Sequence, residues 1–148
     1  MLTIPTSILV EARTFFEDRG ALGCEGTAMI AGTDGVATKL VVPEQHANPV
    51  PYCSVEVTRQ GKSELALALG PDDRYVARIH SHPALAFHSA SDDANPAITY
   101  PGALSIVVPF FGLGLRQSLD ACAVLVRRDR RWLEVPAGPD RNDLVVAR

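Results

Sequence analysis

The sequence has little of what would place it outside the ordinary globular class. Its 148 residues include only three cysteines, Cys24, Cys53 and Cys122, widely spaced and with no C-x-x-C pair. That scarcity argues against a disulfide scaffold and fits reduced thiols in a cytoplasmic protein. Cys24 has no histidine beside it in sequence and reads as a small packed side chain rather than a nucleophile. Positive charge is also scarce: 14 Lys and Arg stand against 17 Asp and Glu, a formal charge of −3 that gives no general drive toward nucleic acid. There is no internal repeat and no low-complexity linker. The amino terminus lacks a basic n-region and meets Glu11 before a signal-like core is complete, so secretion is not expected. One uncharged run, Ala94 to Leu115, has the length of a membrane span. Pro96, Pro101 and Pro109, with Gly102, Gly112 and Gly114, divide it into short pieces, which predicts a buried strand at Ala103–Val108 between loops and no membrane contact.

What remains is the composition of one compact domain over residues 1–148, with 47% hydrophobic residues and enough length to bury a core without staples. An apolar stripe of Ile8, Leu9, Ala12, Phe15 and Phe16 predicts a helix over Thr6–Asp18, ended by Gly20. Strands are expected at Thr27–Ala31, Val36–Val42 and Ser54–Thr58, a short helix near Ser63–Leu69, and a turn at Gly70-Pro71-Asp72-Asp73. Arg74–Ile79 reads as a strand, a second helical stretch follows Asp92, and a hairpin joins Ala121–Val126 to Trp132–Val135. The tail from Pro136 reads as a loose edge or a partner contact. Arg127, Arg128, Arg130 and Arg131 are the local exception to the acidic balance. They read first as the solvated arginines of a hairpin turn and second as a contact for an acidic partner.

The chemistry is concentrated in Ile79-His80-Ser81-His82-Pro83 and Ser89-Ala90-Ser91-Asp92. Side chains two apart on a strand share a face, so His80 and His82 point the same way. Pro83 cannot donate to a sheet ladder, which ends the strand and turns the backbone back toward the imidazoles. Two nitrogens and one carboxylate leave a fourth position open, the arrangement of a catalytic rather than a structural zinc ion. Such a reaction needs a base. Glu25 is the candidate, because it stands at the entrance to the short apolar run Thr27–Ala31, where a carboxylate is costly unless solvated, paired or near a metal. Without the histidine motif it would read as a solvated turn residue. His46 reads as a solvated loop residue, and His88, next to Ser89, as a cleft-lining or exposed side chain.

Together these pieces resemble the JAB/MPN family of zinc metalloproteases, whose JAMM signature runs Glu, His-x-His-Pro, Ser-x-x-Asp. Glu25 lies seven residues before Gly32, as in the family's E-x-x-G-x-x-x-G pattern, with Ala28 in place of the middle glycine. The loop from Ala84 to His88 is one residue shorter than usual, which leaves Asp92 or its neighbour Asp93 as the carboxylate; Asp92 keeps the Ser-x-x-Asp spacing. The resemblance implies an α+β fold of the cytidine-deaminase-like layered type, a mixed central sheet flanked by helices. It implies one Zn²⁺ held by His80, His82 and Asp92, Glu25 as general acid/base, and Ser89 as the oxyanion donor. Leu40–Gln45, Tyr52-Cys53 and Ala86-Phe87 resemble the endosome-associated deubiquitinases of the family.

The activity implied is an isopeptidase or peptidase acting at the carboxyl end of a ubiquitin-like modifier. The modifier's tail would add to a strand edge near Ile79–Ser81 or the loop after Pro83. The compact length is similar to bacterial members that work beside E1-like and E2-like enzymes in antiphage operons. Processing of a sulfur-carrier protein or small peptide is the alternative hydrolase, and a non-catalytic binding module the alternative outside enzymes.

Overall fold

A computed structural model of the chain describes residues 1–46, 55–89 and 98–148. One mixed sheet runs through them in eight strands: β1 Leu2–Ile4, β2 Thr27–Thr33, β3 Val36–Val41, β4 Arg74–Ser81, β5 Leu104–Val108, β6 Ala123–Arg128, β7 Arg131–Glu134 and β8 Val145–Ala147, in the order β7-β6-β5-β4-β2-β3-β1-β8. The β2–β3, β2–β4, β5–β6 and β6–β7 pairs are antiparallel, whereas β4–β5, β1–β3 and β1–β8 are parallel. β4 therefore lies inside the sheet, paired on both sides. The expectation that a substrate tail adds to a strand edge at Ile79–Ser81 is thereby corrected, since no edge exists there.

Helix α1, Thr6–Gly20, buries Ile8, Leu9, Ala12 and Phe16 against one face of the sheet. On that face stand Ala28 and Ile30 of β2, Ala77 and Ile79 of β4, Ile106 and Val108 of β5, and Val124 and Val126 of β6. Helix α2, Arg59–Leu67, belongs to the other face, where Leu65 packs with Met29, Ile98 and Ala103. It begins four residues before the predicted start because Thr58 caps it, its hydroxyl accepting from the Gly61 N–H at 3.0 Å.

A bulge keeps both faces consistent along β4. Ile30 pairs with Ala77 and Ala31 with Tyr75, so Val76 is the extra residue. Tyr75 thereby joins Leu65 and Met29, its hydroxyl donating to the Leu65 carbonyl at 2.5 Å, while Ala77 joins the α1 core.

Two further expectations are corrected. Ser54–Thr58 is not a strand in its described part: Val57 makes only an isolated bridge to Gln45, and Thr58 turns into α2. β1 is a strand beyond those expected. The tail is not loose. After a helical turn, α3 at Pro139–Asn142, β8 pairs with β1, and the Arg141 guanidinium, 5% exposed, donates to the carbonyls of Val135, Leu119 and Cys122 at 2.8, 2.9 and 3.0 Å. The helical stretch after Asp92 lies outside the described residues. Among those described, no helix is long and apolar enough to cross a membrane.

Candidate active site

The α1 face of β4 is apolar, so the alternate residues Arg78, His80 and His82 project from the opposite face. His80 is 2% and His82 6% exposed, and their ring centroids lie 5.2 Å apart at an interplanar angle of 57°. Thr27 of β2 pairs directly with His80. The ladder continues beyond it, because the Ser81 N–H donates to the Gly26 carbonyl at 2.9 Å. Glu25 stands two residues before Thr27, at the end of this ladder. Glu25 is 6% exposed, so the solvated-turn alternative does not describe it.

Three side chains that the sequence reading assigned no role hold the segment around Glu25. The Ser81 hydroxyl, between the two histidines and fully buried, accepts from the Gly26 N–H at 2.9 Å. Arg19, at the end of α1, donates from Nε to the Glu25 carbonyl at 2.6 Å and from Nη2 to the His46 carbonyl at 2.8 Å. Burial lowers the pKa of this guanidinium, and the Cys24 thiol beside it opposes the shift. Gln45 takes the place that β3 vacates beside β2. Its Oε1 accepts from the Thr27 N–H at 2.9 Å, and its Nε2 donates to the carbonyls of Thr27 at 2.9 Å and Pro43 at 2.8 Å. An amide side chain thus completes the ladder where the neighbouring strand has left. Gly26 is required by close approach: a Cβ there would lie 2.9 Å from Phe15 Cε1 and 3.0 Å from Arg19 Cδ.

The loop after β4 is tied down as well. His82 N–H donates to the Val108 carbonyl at 2.8 Å, Phe110 N–H to Ala84 at 2.9 Å, and Phe111 N–H to the His82 carbonyl at 2.8 Å. Phe110 and Phe111 adopt φ of 55° and 52°, a conformation that side chains with a Cβ rarely accept. The turn is braced by α1: Gly20 of the helix leaves room for Phe111, and Gly112 of the turn leaves room for Phe16. Phe87 packs edge-on against His82 at 4.6 Å, and half-buried His88 sits 6.4 Å from the His80 ring and 5.5 Å from that of Trp132. Ser89 is half-buried at the end of this described loop. His46 is exposed, as expected.

The two imidazoles, 5.2 Å apart, are donors of the kind zinc takes. Asp92 and its alternative Asp93 lie outside the described residues, as do Tyr52 and Cys53. Among those described, no group of three or more His, Cys, Asp or Glu side chains gathers to hold a metal. Of the predicted set the structure pairs His80 with His82 and buries Glu25. Neither described cysteine offers a reactive thiol: Cys24 is 1% exposed, and burial pushes the Cys122 thiol up to about 12, with nearby Arg141 opposing and Asp120 adding to the rise.

No protein-family model matches the chain. Its sequence is 30% identical over 145 residues to a probable metalloprotease, y4jG, of Sinorhizobium fredii, covering 92% of this chain and 88% of that protein. The solution structure of a protein from Desulfitobacterium hafniense shares the fold with a TM-score of 0.60 at 16% identity, over 92% of this chain and 90% of that one. A JAB1/MPN domain protein from Archaeoglobus fulgidus does so with a TM-score of 0.53 at 16% identity, over 90% and 94%. A metalloprotease relative along nearly the whole length and a shared JAB1/MPN fold agree with the histidine strand and the buried glutamate near it: the chain belongs to the JAB/MPN metalloprotease family.

Proposed function

We propose that the protein is a zinc-dependent isopeptidase or peptidase that matures a ubiquitin-like modifier at its carboxyl end or removes it from conjugates. The observation that carries this reading is the buried pair His80 and His82 on one strand, with buried Glu25 at the end of the neighbouring strand that pairs with it. His80 and His82 would hold the ion with Asp92. A zinc ion there supplies Lewis acidity toward a carbonyl and toward water. Glu25 takes the proton from the attacking water and returns it to the leaving amine, a role its burial supports. Ser89 donates to the developing oxyanion, a contribution of about 2–4 kcal/mol to the barrier for donors of this kind. Arg19, Gln45 and Ser81 position the Glu25 segment from three sides.

The cellular setting we propose is a bacterial ubiquitination-like antiphage pathway, in the cytoplasm, with E1-like and E2-like enzymes as partners. The test is cleavage of a ubiquitin-like modifier fused at its carboxyl end to a reporter, comparing native protein with Glu25→Gln. Release of the reporter by native protein alone is the expected result. A fusion left intact while short peptides are cut would overturn the modifier reading and favour small-peptide or sulfur-carrier processing. Cleavage of neither would favour the binding module.

A further inference from the structure

The arginine-rich hairpin is the one feature singled out in the sequence that the hydrolytic reading leaves unused. Across it Arg127 pairs with Trp132 and Arg128 with Arg131, so two like charges stand directly opposite each other. Such a pair destabilises a hairpin, and the turn adds positive φ at Asp129 and Arg130. Among the described residues none of the four arginines forms an ion pair, although Arg13 and Lys39 elsewhere do. Arg127 Nε and Trp132 Nε1 are buried donors with no acceptor, and the guanidinium lies 5.4 Å from the centre of the tryptophan ring. A local conflict of charge without compensation inside the fold is what a binding surface leaves behind.

The hairpin is also connected to the chemistry. From His80 to His88, from His88 to Trp132, and from Trp132 to Arg127 the steps are 6.4, 5.5 and 5.4 Å, all on one face of the sheet. An extended chain rising ~3.3 Å per residue covers that path in about five residues.

We infer that the β6–β7 hairpin is a subsite for carboxylate side chains, and that the protein or peptide substrate carries an acidic stretch within about five residues of the scissile bond. Arg127, stacked on Trp132, receives the carboxylate nearest the site, and exposed Arg128, Arg130 and Arg131 receive those beyond it. The inference rests on the hydrolytic reading for the word substrate, but its binding component does not. The net charge of −3 over the whole chain favours an acidic peptide here over nucleic acid, whose continuous phosphates would meet repulsion outside the hairpin.

Trp132 is the sole tryptophan, so its fluorescence reports occupancy directly. Native protein is titrated with a short glutamate-rich peptide and with its glutamine counterpart. The acidic peptide is expected to shift the emission with an affinity at least about tenfold above that of the neutral one, weakening at high salt. Arg127→Gln is expected to reduce the affinity, and so is Arg130→Gln with Arg131→Gln at exposed sites; Thr58→Ala, which removes only the α2 cap, binds like native protein. Equal binding of the glutamine peptide, undiminished affinity in the Arg130→Gln/Arg131→Gln protein, or equally tight binding of oligodeoxythymidine would overturn the inference. Because binding is read without turnover, an inactive protein that still selects the acidic peptide would sink the hydrolytic reading alone.

Discussion

Along β4, Ala77 and Ile79 enter the apolar layer beneath α1, while Arg78, His80 and His82 leave from the other side toward Thr27 and the loop holding Phe87 and His88. One strand thus supplies a core and a reactive face by alternation. The core face is held by burial, which is tolerant of direction. The reactive face is held by hydrogen bonds between backbone atoms and the side chains of Ser81 and Gln45, which accept, and Arg19, which donates, and these fix position. Stability and chemistry should therefore be separable by substitutions one residue apart.

Ile79→Ala should break the core face. Ile79 is fully buried, and its truncation is expected to cost about 2–5 kcal/mol in chemical denaturation, while protein still folded keeps its metal. Gln45→Leu sharpens the comparison from the other side. It leaves the Thr27 N–H and carbonyl without their side-chain partners, at about 1–3 kcal/mol for a buried group. The larger effect is expected on kcat, a loss of roughly tenfold or more from displacement of Glu25, with metal content unchanged. Thr58→Ala touches neither face and should cost about 1 kcal/mol by removing the α2 cap, with kcat and KM retained.

The sequence showed most where one residue type recurs at a fixed period. The stripe of α1, the apolar β2 run, the β6–β7 hairpin and the His80/His82 pair are legible for that reason, and Glu25 stands out by its place at the entrance to the apolar β2 run. β1 and β8 are not, because three-residue strands have no period to read and owe their pairing to each other across the length of the chain. The cap at Thr58 is masked in the sequence by the β-branched residues before it. Ser81, Arg19 and Gln45 escaped because their bonds run to backbone atoms 55, 6 and 18 residues away, and any residue type offers those atoms. Arg141 escaped for the same reason, its partners being three carbonyls.

Zinc content by elemental analysis, measured with peptide-bond cleavage in native protein, Glu25→Gln and His80→Ala, tests the account most directly. The account predicts about one zinc per chain in native protein and in Glu25→Gln, loss or weakening of zinc in His80→Ala, and turnover reduced by about 10²–10⁴-fold in Glu25→Gln. Native protein without zinc after exposure to it, or cleavage untouched by Glu25→Gln, would contradict it.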